Sequence, residues 1–563
     1  MKKIWIYIKK TYPMVKEYMP QNIQAIVYGV LSNLLTLLFP LGVQILIDEI
    51  IYVEHWQILL RFSCIITLIV LGKQIFGYLS CVLYAEFSET VSAEASKNLF
   101  RKILRNRISF FHKSTEGEII TRIAEDASYL SSLLSYIVVE LLECLTKIIV
   151  VFGLLFYLNT KLACIIVITI PVYLILNRYY SGMLESGTRK HKGLWEKQSN
   201  LYVETIKNIK FVKNHAIEEI IEKENDILNQ SLKEVAVYVE KTGYRFRNLM
   251  QMFVEINKVL VLVIGGIFVM QEKMSIGELV AYMTYMEYVY APFVELPSLY
   301  KQLLQTVVSM ERYFEYYDAH ESVEDTKGIK LEEVQEIELQ DLKFYFKEQT
   351  EKILDDVNLK ICKGDKIFFS GKSGQGKSTL ALILKNFYGV SSGRILLNNR
   401  DISEYALESL RKGIFYLVQD VNFYNRSIRD NFKMLWPDIT DEQIEICLKK
   451  AELYTELYEG EHNGLETILA QGGANLSGGQ KQRLQIAMLF ASEADMVILD
   501  EPFTGIDSST VKKIWSSLKK HFNSKTVILI DHNIIDEAYF TRKFYLENTQ
   551  VFEEGYKNEK LNF

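Results

Sequence analysis

Three short runs in this chain of 563 residues hold side chains and backbone suited to handling a nucleotide phosphate: GKSGQGKST from Gly371 to Thr379, LSGGQ from Leu476 to Gln480, and MVILDE from Met496 to Glu501. The first fits a phosphate-binding loop. Gly371, Gly374 and Gly376 can take positive φ, so the N–H groups of the loop from Gly371 through Ser373 to Thr379 turn inward around the phosphates of ATP. Lys377 then reaches the outer phosphates, and Ser378 is placed to ligate Mg2+. The flanks agree, because Ile367 to Phe369 reads as an apolar strand entering the loop, and Ser378 to Phe387 as a helix whose N-terminus faces the anion. The third run is a strand, Met496 to Leu499, ending in two adjacent acids. A magnesium-dependent hydrolase needs a metal carboxylate and a base, which assigns Asp500 to the metal side and Glu501 to the base. In LSGGQ, a serine and small residues at a helix start can present N–H groups to a phosphate, yet no second anion inside the same domain calls for them.

The elements that must carry these runs divide the chain in two, since composition passes from an apolar first half to a charged, glycine-punctuated second half. The net charge of −6 and pI near 5.9 give no electrostatic case for a nucleic-acid partner. Cys64, Cys81, Cys144, Cys164, Cys362 and Cys447 are scattered, with no CxxC pair, and read as buried reduced thiols rather than metal ligands. The lysine-studded N-terminus, with Ile4, Ile8 and Tyr12 on one helical face, lacks the apolar core of a secretory signal and suits a helix lying at a membrane surface. A soluble amphipathic helix fits it equally until the next segment is read.

Six stretches are long and apolar enough to cross a bilayer at about 1.5 Å per residue: residues 23–51, 57–84, 135–158, 161–176, 249–270 and 276–300. Lys73 and Glu255 favour a buried soluble helix locally, but six such helices in one soluble domain would be unusual. Cations crowd two long connections, Lys97 to Arg122 and Arg189 to Lys213, while the short connections hold almost none. Both termini and both long connections are therefore expected on the cytoplasmic side. The long connections keep helical periodicity, with a break expected at the polar turn His112 to Gly117 and a second contact element at Leu201 to Glu219. Phe110, Phe111 and Tyr202 are the candidate anchors for a moving ATPase domain, against an alternative of packing within the helix bundle.

With motifs and spans together, the chain resembles an ATP-binding cassette exporter half-transporter. SFFHKSTEGEIITRIAEDA (Ser109 to Ala127) and YVETIKNIKFVKNHAIEE (Tyr202 to Glu219) resemble the two cytoplasmic connections of that family, and SIGELVAYMTY (Ser275 to Tyr285) the start of its sixth helix. The resemblance implies an all-α six-helix transmembrane domain followed by an α/β P-loop NTPase domain with a helical subdomain. Its bounds would be an interfacial helix over 1–21, the transmembrane domain over 22–312, a linker over 313–335 and the cassette over 336–563. It also implies that Phe346 stacks on adenine, that Gln419 contacts Mg2+ and the attacking water, that His532 reaches the γ-phosphate, and that Asp507 lies in a loop communicating across a dimer. LSGGQ, through Ser477, Gly478, Gly479 and Gln480, would cap the ATP held by a partner cassette. Phe346 stands where tyrosine is usual, and an ordinary strand residue is the alternative reading of it; Gln419 and His532 are set apart by their order around the strong motifs. Ala470, Gln471 and Met488 depart from the family pattern, the last as a packing change.

The expected activity is ATP-driven export by alternating access, with a second copy or a homologous half-transporter as partner, in a lipid bilayer. A membrane-anchored ATPase with a sensing role is the alternative; a soluble cassette protein acting on DNA or ribosomes fails on the six spans. Cargo stays open among drug, lipid and peptide. Glu140, Glu143, Glu255, Glu287 and Glu295 fall in or near spans, where they either face a polar cavity or pair locally, as Glu143 with Lys147 and Glu255 with Lys258. Tyr282, Tyr285, Met286 and Tyr290 read as helix packing or lipid contact before a cargo pocket. With no peptidase domain ahead of the first span, leader-peptide cleavage is not expected.

Overall fold

The computed structural model describes residues 2–51, 56–132, 137–319, 328–346, 352–372, 374–418, 422–459 and 463–554. Two units emerge from its contacts: Met1–Leu104 with Thr115–Ala319, and Arg105–Ser114 with His320–Phe563.

The first unit is helical. An amphipathic α1 (Lys2–Val15) precedes α2 (Met19–Ile45), where Pro20 occupies the first turn that lacks N–H partners anyway. A π-turn over Leu46–Ile50 ends α2, and α3 (Trp56–Ile103) returns alongside it. The first long connection follows as α4 (Ile108–Lys113), α5 (Glu116–Ala124) and α6 (Tyr129–Ser132). Then come α7 (Val138–Leu158), α8 (Thr160–Lys207), α9 (Ile209–His215), α10 (Glu218–Met270) and α11 (Ile276–Tyr317). Among the described residues, five helices are long and apolar enough to span a membrane: α2 with its π-turn, α3, α7, α8 and α10. The sixth, α11, is more polar because it is interior. Tyr282, Tyr285, Met286 and Tyr290 are all at most 3% exposed, and the Tyr285 hydroxyl donates to the Leu37 carbonyl at 2.6 Å. Those four residues pack between helices, and a tyrosine inside a bundle need not be as lipophilic as a leucine facing lipid. Lys258 bonds Glu287 at 2.9 Å as well as Glu255 at 3.4 Å, so two of the acids pair locally. Cys144 donates to Glu295 at 3.5 Å.

Two breaks shape the first long connection. Besides the expected one, which falls at Ser114 and Thr115, α3 stops at Ile103, and residues 105–114 cluster with the second unit. Within that unit a cavity of about 270 Å³ is lined by Arg107 together with Tyr388, Arg394 and Tyr405. The second connection breaks at Asn208, and α9 ends on Ala216 in the left-handed region at φ 49°. Tyr202, Ile206 and Phe211 stay 44%, 72% and 59% exposed around it.

The second unit is built on two sheets. An antiparallel one has order β2-β1-β4-β5, from β1 (Glu336–Phe344), β2 (Leu354–Cys362), β4 (Ser392–Leu397) and β5 (Arg400–Asp401). The larger has order β10-β9-β3-β8-β7-β6, from β3 (Lys366–Gly371), β6 (Ile414–Leu417), β7 (Met496–Asp500), β8 (Thr526–Ile530), β9 (Arg542–Glu547) and β10 (Gln550–Glu553). Pairing is parallel from β9 to β6, with β10 alone antiparallel. Strands buried on both faces alternate their side chains between two cores. Ile367, Phe369, Met496, Ile498, Ile528 and Ile530 face one core with α12 (Lys377–Leu384) and the antiparallel sheet. Phe368, Leu417, Val497, Leu499, Val527 and Leu529 face the other. That second core carries a helical subdomain. After α13 (Leu407–Gly413) it comprises α14 (Ile428–Leu435), α15 (Asp441–Lys450), α16 (Tyr454–Glu459) and α17 (Gly478–Phe490), with α18 (Ser508–His521) alongside. Met488 is buried in it.

Candidate functional site: a nucleotide cradle at the ends of parallel strands

Because β3, β8, β7 and β6 are adjacent and parallel, their C-terminal ends share one sheet edge, the usual ligand-binding edge of such sheets. In strand order this edge carries the phosphate loop, His532, then Asp500 with Glu501. Ser373 and Gln419, two expected site residues, lie outside the described residues.

The loop between β3 and α12 has Gly371, Gly374 and Gly376 at φ 152°, 81° and 101°. A Cβ on Gly376 would stand 2.5 Å from Ile353 Cγ2, so this position requires glycine on packing as well as on φ. The N-cap Gly376 supplies no side-chain cap to α12, and among the described residues no side chain accepts from the N–H groups of Lys377, Ser378 and Thr379 at its start. Lys377 is 7% exposed and donates to the carbonyls of Gly371 at 2.7 Å and Lys372 at 3.0 Å. Burial lowers its ammonium from the ordinary value, opposed by the charges of Glu501 and Asp500. A buried cation held, among the described residues, by loop carbonyls is suited to an incoming polyphosphate.

Asp500 closes β7 at 2% exposure. Its Oδ2 accepts a hydrogen bond from the Tyr416 hydroxyl at 2.9 Å. Burial first, and the Asp500 charge second, push the Tyr416 phenol up. Asp500 and the exposed Ser378 supply hard oxygen donors, and among the described residues no cluster of three His, Cys, Asp or Glu could hold a metal without help. That donor set fits Mg2+, which takes one or two protein oxygens and completes its shell with water and phosphate. Glu501 follows in the left-handed region at φ 47°, its N–H donating to the Ile530 carbonyl at 2.9 Å. Its Oε1 lies 3.3 Å from His532 Nε2. The structure thus joins the expected base to the expected γ-phosphate ligand.

Phe346 follows β1 half-buried, in edge contact with Phe344 at 5.2 Å and Tyr388 at 5.5 Å. Asp507 caps α18, accepting from the Ser509 and Thr510 N–H groups at 3.1 and 3.0 Å. Hydrogen bonds from Ser509 and Thr510 hold its carboxyl well below the usual range.

The LSGGQ run starts α17. Ser477 Oγ accepts from the Gln480 N–H at 3.2 Å and Gln480 Oε1 from the Ser477 N–H at 2.9 Å, forming a capping box. The box leaves the first-turn N–H groups of Gly478 and Gly479 as those a helix start cannot pair internally. Glu456 on α16 anchors the turn, accepting from Gln480 at 3.0 Å and bidentately from Arg483 at 2.7 and 2.8 Å. A Cβ on Gly479 would meet the Gly505 carbonyl at 2.7 Å, and Gly505 itself sits at φ 78°. Tyr416 and Glu456 were missed by sequence reasoning, because neither is a residue type that a phosphate-binding motif requires.

A family model of the ABC transporter transmembrane region matches residues 23–293, and one of the ABC transporter matches residues 354–504. The chain belongs to the ATP-binding cassette transporters. It has the exporter arrangement of one transmembrane region fused ahead of one cassette, and it is an ATP-hydrolysing transporter. Over 99% of this transporter and 97% of the relative, it is 26% identical to the ATP-binding/permease protein YgaD of Bacillus subtilis, whose assignment to multidrug export is provisional. It is 27% identical to the ATP-dependent lipid A-core flippase of Desulfotalea psychrophila, over 92% of this chain and 90% of that one. The RTX-I toxin translocation ATP-binding protein of Actinobacillus pleuropneumoniae is 26% identical over 98% of the transporter and 77% of its own length. In fold, the transporter matches an ATP-bound bacterial Atm1-family ABC exporter with a TM-score of 0.78 at 20% identity, covering 95% and 94% of the two chains.

Proposed function

We propose that this transporter works as a dimer whose two ATP sites are each composite, the P-loop of one cassette facing the LSGGQ helix of the other. One observation carries the reading: α12 packs on one face of the parallel sheet and α17 on the opposite face. A continuous sheet then separates the two phosphate-facing helix starts of one chain, and a second cassette can bring such a pair together. The apolar side chains around α9 agree, since Tyr202, Ile206 and Phe211 are exposed and offer an anchor to a partner.

In the proposed cycle, Lys377 and the α12 N-terminus bind the phosphates of ATP, Phe346 packs on the base, and Asp500 with Ser378 holds Mg2+. The metal supplies charge neutralisation on the transferring phosphoryl group. Glu501 orients and deprotonates the attacking water. His532, 3.3 Å from that base, contacts the γ-phosphate, and Gln419 contacts Mg2+ and the attacking water in this reading. ATP-driven closure of the cassettes opens the cavity outward, and hydrolysis resets it. The N-terminus, both long connections and the cassette lie in the cytoplasm. The cargo is a hydrophobic or amphipathic solute that partitions into the bilayer, in keeping with relatives named for multidrug export, a lipid A-core and protein toxins.

Two inactivating variants test the composite site. Lys377→Ala destroys a P-loop and Ser477→Arg blocks a signature, so each variant alone should trap no ATP. A mixed dimer isolated with two affinity tags concentrates both defects in one site and leaves the other intact. It should trap one ATP per dimer; a mixed dimer as silent as its parents would mean that each chain completes its own site.

A further inference from the structure

The hydroxyl of Tyr416 touches the carboxylate that must face the metal, although nothing in the phosphate-binding motifs involves it. Tyr416 sits on β6, the edge strand paired in parallel with β7, in register with Ile498. Its ring is partly buried against the core beneath α12, and its hydroxyl donates to Asp500 Oδ2 at 2.9 Å. Among the described residues this is the one hydrogen bond to the Asp500 carboxylate, which is 2% exposed. An ordinary phenol keeps its proton up to about pH 10, so near neutrality this contact runs from tyrosine to carboxylate.

We propose that Tyr416 is a positioning residue for Mg2+: it occupies one oxygen of Asp500, fixes the rotation of the carboxylate, and presents the other oxygen alone to the metal. The proposal rests on Asp500 being the metal-side acid. A buried carboxylate with one oxygen satisfied has one preferred torsion. Freed of that bond it can rotate, and its inner oxygen loses a donor in a place water cannot easily replace it. Partners of metal ligands that act in this way change metal affinity by about 10- to 100-fold when removed. The ring of Tyr416 contributes to packing, but its hydroxyl acts on the torsion of Asp500, and the two roles separate cleanly in Tyr416→Phe.

The experiment measures binding of a fluorescent ATP analogue to the full-length transporter in lipid nanodiscs, in EDTA and across a Mg2+ titration, with hydrolysis followed in parallel. In Tyr416→Phe the affinity in EDTA should match the parent, while the Mg2+ needed for half-maximal tightening rises about 10-fold or more. The Mg2+ requirement of hydrolysis should rise with it. An unchanged Mg2+ midpoint overturns the proposal, as does an equal loss of affinity with and without Mg2+, which would make Tyr416 a packing residue only. Asp500→Asn separates the underlying assumption. If that variant abolishes the Mg2+-dependent tightening while Tyr416→Phe leaves it intact, only the role of Tyr416 falls. If Asp500→Asn itself keeps the tightening, the assignment of Asp500 falls and the proposal with it.

Discussion

Glu501 combines a left-handed backbone with a carboxylate 3.3 Å from His532 Nε2. It is a non-glycine residue at φ 47°, a conformation costing on the order of 1–3 kcal/mol unless its surroundings enforce it. The enforcement is visible in its N–H bond to the Ile530 carbonyl, which pins the turn after β7 to the end of β8, where His532 follows two residues on. Glu501→Gln keeps side-chain volume and leaves the turn intact but cannot take a proton. Turnover should fall on the order of 10²- to 10⁴-fold while ATP affinity holds; phosphate release and equilibrium nucleotide binding on the same sample check both. Undiminished hydrolysis would remove Glu501 from its role. Residues of this kind were legible because phosphate chemistry is local: the glycines, Lys377 and Ser378 fall within nine consecutive positions. Tyr416 was illegible for the converse reason, since its bond reaches a residue 84 positions away, and only the parallel pairing of β6 with β7 makes the two neighbours.

At the scale of elements, the two glycines of the signature have different jobs despite being adjacent. A Cβ on Gly478 would meet nothing within 4 Å, whereas one on Gly479 would face the Gly505 carbonyl at 2.7 Å. Helix propensity alone favours alanine over glycine by up to about 1 kcal/mol. Gly478→Ala should therefore leave thermal stability equal or slightly raised, and lose ATPase activity only through crowding of a phosphate at the exposed helix start. Gly479→Ala must push the loop holding Asp507 away from α17, so both melting temperature and activity should fall, activity by roughly 10²-fold. Thermal melts beside ATPase assays distinguish the pair; equal stability of the two variants would sink this account. The long helices were readable from length and hydropathy, but the end of α3 at Ile103 was not. Neither proline nor glycine marks it, and the following residues 105–114 are held by contacts with the second unit. The polarity of α11 was likewise unreadable as burial, because tyrosine fits a packed interior and a membrane interface equally well.

For the whole molecule, the proposed orientation in the bilayer rests on charge asymmetry and can be tested at two exposed positions. Contrary to the expectation of buried thiols, Cys64, Cys81, Cys164 and Cys362 are exposed, Cys362 in the cassette, and Gln271 is exposed where α10 ends before α11. Cations such as Arg101, Lys102 and Arg105 lie at the first long connection, and the proposed orientation keeps a connection this rich in Lys and Arg on the cytoplasmic side. An odd number of spans would put the N-terminal helix and the cassette on opposite sides; six puts them on the same side. Two single-cysteine variants follow, one keeping Cys362 alone and one carrying only Gln271→Cys. A membrane-impermeant maleimide should label the first in inverted vesicles and not in intact cells, and the second in intact cells and not in inverted vesicles. Labelling of both from one side would mean that α11 does not cross, which would leave five spans and a cassette on the far side from the N-terminus. Labelling of Cys362 only in intact cells, with Gln271→Cys labelled only in inverted vesicles, would instead reverse the orientation of a six-span chain.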